Sequence, residues 1–198
     1  MSHTAPDRPS GDRLRILDDR PARPDAGHVL YWMTAFRRLS YNHALDRAVA
    51  WATELDLPLL IFEGLRSDYR WASDRMHRFC IDGMSEHRAE LRDGPVGYLP
   101  YVESSTGAGK GLLAALAADA AVVVADDAPF FFLPRMLDAA AGRLDTRLEA
   151  VDSNGLYPIR HAERTFTTAA SFRRHLQKEL LPHLEDAPDP RPDLDGLR

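Results

Sequence analysis

Five short strand-like runs separated by helical patterns, most of them apolar, constrain this chain more than any other feature. They lie at His28–Met33 (HVLYWM), 58–62, 96–101, 121–125 and, with Arg147 and Glu149 among its residues, 147–151. A strand that is apolar at nearly every position has no solvated face, so its sheet must be covered on both sides. Helical stretches fall between the runs, at about 40–55, 73–91, 110–118 and Leu133–Ala141. In the first, Leu45, Ala48, Val49, Ala52 and Leu55 recur at helical spacing and form one stripe. In the second, Met76, Phe79, Cys80, Gly83, Met84, His87 and Leu91 do the same. This alternation predicts an α/β fold: a doubly wound, five-stranded parallel sheet with right-handed crossovers and helices on both faces, Rossmann-like in outline.

In such sheets ligands bind beyond the carboxyl ends of the strands, where strand order reverses. The loops to inspect are therefore 34–40, 63–70, 103–109, 126–132 and 152–157. Met33 ends the first strand and Phe36 follows it. Arg37 and Arg38 precede a helix, where anions are favoured, and could hold a phosphate, a carboxylate or a partner domain; a solvated basic loop is the plainer alternative. Glu63 ends the second strand, where folds of this class often place a ribose-binding acid, although an ordinary loop carboxylate fits as well. Asp126 and Asp127 could orient a polar ligand or position a loop. Phe130, Phe131 and Phe132 cannot all point into one core, because successive residues face different directions. At least one should meet a flat ligand, a partner domain or solvent, with domain contact preferred. Tyr31 and Trp32 read as ordinary packing.

Several chemistries lack their signatures. The turn after the first strand, 34–39, contains no glycine, so backbone could not approach a pyrophosphate closely. The loop 105–111 (STGAGKG) has Ser104 where a phosphate-cradling loop needs its first glycine, and Gly111 where it needs Ser or Thr. It reads as a loop capping an alanine-rich helix. The eight histidines show no metal-ligand spacing in sequence, and no metal site is expected. His77 and His87 read as a helix-surface and a core-edge residue. Cys80, the single cysteine, forbids an internal disulfide and reads as a buried, inert thiol. No serine sits in a nucleophile elbow. No catalytic constellation emerges.

Composition narrows the setting. With 44% hydrophobic and 28% charged residues the chain can build a core, and a net charge of −5 argues against an autonomous nucleic-acid binder. No apolar run is long enough to span a bilayer, which leads to the expectation of a soluble, cytoplasmic protein. Residues 1–26 read as a flexible segment, 27–160 as the α/β domain, 161–184 as a lead-in helix and 185–198 as a Pro/Asp-rich linker.

Particular residues go further. The stretch 13–20 (RLRILDDR), a Pro-rich spacer, then His28–Met33 and Tyr41-Asn42-His43-Ala44-Leu45 resemble the opening of class II cyclobutane pyrimidine dimer photolyases, within the cryptochrome-photolyase family. The segment 57–62 with Gly64-Leu65 continues the likeness. Arg75-Met76-His77-Arg78-Phe79 with Gly83-Met84 is similar to that family's second helix. So are 149–154 with Pro158, and 168–173, to the end of its N-terminal domain. The resemblance covers about residues 12–184. It departs at Phe130–Phe132, where the family often has a basic residue, at Ser104–Gly111, which replaces a short Gly-Asp-Pro loop, and at Arg174, which replaces a proline. The first two departures fall where an antenna chromophore would be expected.

The resemblance implies a two-domain flavoprotein. An all-helical C-terminal half would bind FAD, accept a dimer flipped out of damaged DNA and donate an electron to it after absorbing light. The N-terminal α/β domain would dock against that half as scaffold and hold a deazaflavin or folate antenna at the interface. Met33, Phe36, Arg37, Arg38, Glu63, Asp126, Asp127, Phe130 and Phe131 would line that edge. Residues 1–198 are expected to hold none of the helical half and, alone, not to repair DNA. Two rivals stay open: a stand-alone nucleotide-binding α/β module of universal stress type, and a non-catalytic light-signalling or interaction domain of cryptochrome type.

Overall fold

The computed structural model describes Pro9 and residues 11–198; the rest of the expected flexible segment, residues 1–8 and 10, lies outside the described residues. The strands are β1 Leu14–Asp18, β2 His28–Met33, β3 Leu59–Leu65, β4 Gly97–Val102, β5 Ala120–Asp126 and β6 Leu148–Val151. The helices are α1 His43–Leu55, α2 Asp74–Glu90, α3 Leu112–Ala118, α4 Leu133–Ala141 and α5 Ala169–Glu179, with short 3-10 turns at Gly11–Arg13, Ile159–His161 and Leu181–Leu184. They form one sheet in the order β1-β6-β5-β2-β3-β4. The strands from β6 to β4 are parallel and β1 runs antiparallel to β6.

Alternation along the central strands feeds two cores. Val29, Tyr31, Met33, Ile61, Val122 and Val124 face α1, whose Leu45, Ala48, Trp51 and Ala52 cover them. Leu30, Trp32, Phe62, Val123 and Ala125 face the other way, against Ala117 of α3 and Leu137 and Ala140 of α4. The runs in β2, β3, β5 and β6 are therefore buried on both faces, as a two-sided sheet requires, whereas that in β4, at the sheet edge, is mostly half-buried. Order reverses between β2 and β5, which makes the carboxyl ends of these two strands the switch point.

The structure corrects three expectations. The sheet has six strands, because residues 14–18, assigned to the flexible segment, form the antiparallel edge strand β1. That strand mixes charged and apolar residues and is only half-buried, so it carries no continuous apolar signal. Leu14 nevertheless packs on one core and Leu17 on the other. In α2 only Met84 and His87 are buried; Met76 and Phe79 are 46% and 76% exposed, and Cys80 is half-buried. The helix meets the sheet at β3 and β4, and no residue of its N-terminal half is buried. Finally, residues 185–198 fold back on α1. The Tyr41 N–H donates to the Asp189 carbonyl at 2.9 Å, and Leu194 and Leu197 pack on the core.

One buried polar node holds α1 to the sheet. Glu149 of β6, fully enclosed, accepts from Arg47 Nε at 2.7 Å and Nη2 at 3.1 Å, from Trp51 Nε1 at 2.9 Å and from Arg147 Nε at 2.7 Å. Burial opposes ionisation, but the hydrogen bonds and charge of Arg47, with Trp51 and Arg147, hold this carboxyl below its ordinary range.

Candidate functional site

At the switch point the backbone after β2 turns inward and aims three consecutive N–H groups at one spot. Asp126, at the end of β5, fills it. Its Oδ2 accepts from the N–H groups of Thr34 and Ala35, each at 2.7 Å, and of Phe36 at 3.0 Å. Its Oδ1 accepts from the Tyr31 hydroxyl at 2.7 Å. Burial raises the Asp126 carboxyl above its ordinary range, and the bonds from Ala35, Tyr31, Phe36 and Thr34 oppose the shift. An array of convergent N–H groups at this place in an α/β sheet would suit a phosphate. Here the chain's own carboxylate occupies it.

Asn42 completes the arrangement. As N-cap of α1 it accepts from the N–H groups of Ala44 and Leu45. Its Nδ2 donates to the Tyr31 hydroxyl at 2.9 Å, the Phe36 carbonyl at 3.1 Å and the Arg38 carbonyl at 3.0 Å. Ser153, beyond β6, donates to Asn42 Oδ1 at 3.2 Å. One side chain thus ties together β2, its loop, α1 and the loop after β6.

The glycine loop repeats the pattern. Glu103, just past β4, accepts from the N–H groups of Gly107 at 2.9 Å and Gly109 at 3.5 Å, and from Ser67 N–H and Oγ at 3.0 and 3.1 Å. These bonds, that of the Ser67 N–H foremost, hold its carboxyl below its ordinary range.

The candidate residues from the sequence separate into two groups. Met33, Phe36, Glu63, Asp126 and Asp127 are buried. Glu63 sits in a closed network, accepting from Arg37 Nη1 at 2.7 Å and Tyr98 Oη at 2.6 Å, with His87 Nδ1 at 3.0 Å. Arg37 also donates to the Gly64 carbonyl, and Arg38 to the carbonyls of Tyr41 and Ser153. Asp127 pairs with Arg160. All of these act within the chain. Phe130 and Phe131 are different: they are 42% and 68% exposed. Phe131 touches Trp71, itself 56% exposed, at a ring separation of 5.3 Å, and Phe130 meets Phe131 edge-on at 5.5 Å. Tyr69 reaches Phe132 at 5.9 Å, and the Arg66 and Arg70 guanidiniums lie over Phe132 and Trp71. The loops after β3 and β5 thus meet across the end of β2 in a continuous aromatic surface. Phe131 holds a φ of 56°, a left-handed conformation that strains a bulky side chain.

No family model matches the chain. Among curated proteins it is 31% identical over 176 residues to the deoxyribodipyrimidine photo-lyase of Methanothermobacter thermautotrophicus, an alignment that covers 86% of this chain. Over most of its own length the chain is similar to that photo-lyase. It spans 39% of the length of that archaeal protein.

At this edge much of the polar chemistry that a ligand would need is taken up by the chain's own groups. Among the described residues, its two convergent N–H arrays are filled by Asp126 and Glu103, and Arg37 and Arg38 are engaged by protein carbonyls or Glu63. A nearby cavity lined by Arg15, Asp127, Pro134, Asp152 and Arg160 measures about 200 Å³, whereas small-molecule sites run roughly 300–1,000 Å³. The edge also offers the exposed aromatic surface of Trp71, Phe130 and Phe131. Sequence reasoning picked out its phenylalanines but missed Trp71, Asn42 and Glu103. The signal for Asn42 was present, an Asn directly before an apolar helical stripe; nothing local marks Trp71 or Glu103.

Proposed function

We propose that this chain is the N-terminal α/β scaffold lobe of a photolyase-type protein, and that its aromatic edge docks a helical lobe carrying FAD. The observation that carries the reading is the exposed surface of Trp71, Phe130 and Phe131, with Phe131 held against its backbone preference. Scattered exposed apolar residues need no explanation, but a contiguous aromatic face marks an interaction site. Its position at the carboxyl edge, and the archaeal photo-lyase that extends well beyond the aligned part, support a second lobe as the occupant. Splitting of pyrimidine dimers would belong to that lobe and its flavin. This chain would contribute position and a dry surface. The filled N–H arrays favour a scaffold over an antenna holder, and they disfavour the stand-alone nucleotide module.

The test is purification of the protein from its source cells, followed by an absorption spectrum and mass spectrometry of the particle. Flavin bands together with a helical, flavin-bearing polypeptide, fused or separate, are expected. The double substitution Trp71→Asp, Phe131→Asp should lose both while the chain keeps its thermal midpoint. A flavin-free particle, or a double variant that retains flavin as well as the wild type, would contradict the proposal.

A further inference from the structure

Away from the aromatic edge, three segments that are distant in sequence converge on one point. Asp12 lies in the 3-10 turn before β1, His161 in the turn at Ile159–His161, and His183 in the turn at Leu181–Leu184. One ligand-type atom from each lies within 4.8 Å of the other two. His161 Nδ1 is 3.1 Å from Asp12 Oδ2, and the two imidazoles stand nearly perpendicular with centroids 4.5 Å apart. Tyr157 presses edge-on against both rings, at 5.5 Å from His161 and 5.3 Å from His183, which limits their rotation. Its hydroxyl is taken by His175 Nε2 at 2.7 Å, so it does not compete for the cluster.

We propose that Asp12, His161 and His183 form a three-ligand site for a divalent cation of the zinc class, which clamps α5 to the sheet domain. Two imidazoles and one carboxylate are a donor set that zinc accepts, with bonds of about 2.0–2.2 Å, and small side-chain rotations from the present spacing bring the three atoms to such distances. The mechanical reason is equally plain. α5 buries no residue, and the turn at Leu181–Leu184 that carries His183 continues directly from it. Beyond the bond between His175 and Tyr157, the seating of such a helix depends on how well its flanking turns are held. A metal bound between His183 on one side and Asp12 and His161 on the other would fix that turn directly to the start of β1. Three protein ligands leave a coordination position for water or a partner carboxylate.

No spacing rule finds this site, because its ligands come from the two ends of the described chain. The test uses the full chain, tag-free and stripped with chelator, titrated with zinc chloride by calorimetry and with cobalt(II) by visible absorption. One equivalent should bind, with affinity weakened at least about tenfold in each of Asp12→Asn, His161→Ala and His183→Ala. Cys80→Ser, on α2, should bind as the wild type does. Zinc should also slow amide exchange across residues 169–184. Failure to bind a stoichiometric ion, binding that survives the His161→Ala and His183→Ala substitutions, or unchanged exchange in 169–184 would overturn the proposal.

Discussion

Replacing Asp126 with alanine tests the claim that this carboxylate stands where a ligand phosphate would otherwise sit. The substitution strips the acceptor from four donors: the Tyr31 hydroxyl and the N–H groups of Thr34, Ala35 and Phe36. The bonds from Tyr31 and Phe36 are fully buried, while those from Thr34 and Ala35 are only partly so, and water can reach them. A buried donor left unsatisfied costs about 1–3 kcal/mol, so the two enclosed donors together put the loss near 4 kcal/mol. Removing a buried charge returns part of that, because its desolvation penalty disappears. We expect Asp126→Ala to lose about 3 kcal/mol in urea unfolding, with an unchanged m-value. The emptied array should then bind small anions. Formate or phosphate at ten times its dissociation constant should restore about 1.4 kcal/mol to the variant and nothing to the wild type. A variant within about 0.5 kcal/mol of wild type, the scale of an ordinary surface change, would refute the reasoning. So would a wild-type chain that phosphate or AMP stabilises as strongly as the variant.

Other expectations follow from the same structure. His43, whose pKa burial and then the Arg13 charge depress from 6.5 to about 4, against the opposing pull of Asp186 and Asp152, is neutral in the fold. Its contribution is complete above pH 6.5 and is lost as pH falls toward 4, so His43→Gln should flatten the decline of the thermal midpoint across that window. Arg47→Met leaves Glu149 enclosed with only Arg147 and Trp51 as partners and should cost about 3 kcal/mol by denaturant titration. Phe131→Gly relieves a left-handed backbone and should raise stability by up to about 1 kcal/mol, read by calorimetry, while abolishing recovery of the flavin lobe.

The sheet was legible because its central strands are apolar on both faces; short, valine-rich runs such as 121–125, between helical patterns, suit a doubly covered strand. The edge strand β1 was not, since an edge needs only half its surface covered and tolerates Arg15 and Asp18. α2 was over-read for a related reason. Met76 and Phe79 share the helical stripe of Met84 and His87, and periodicity cannot say that the sheet ends before the helix does. The tail 185–198 carried the composition of a linker, yet Leu194 and Leu197 suffice to seat it on the core. At the candidate site, the phenylalanine run was visible because three successive aromatics cannot share one core. The roles of Asp126 and Glu103 were not: each depends on which backbone N–H groups the fold brings to a carboxylate about 90 residues away in one case and a few in the other. The acids themselves look like any others at the end of a strand.

Amide exchange at the carboxyl edge tests the central claim most directly. The free chain is compared with the particle recovered from source cells, peptide by peptide. The account predicts protection of 66–72 and 129–132 in the particle, with the amino ends of β2 and β5 unchanged. Protection confined to the opposite edge, or equal exchange in both samples, would contradict a second lobe seated on Trp71, Phe130 and Phe131.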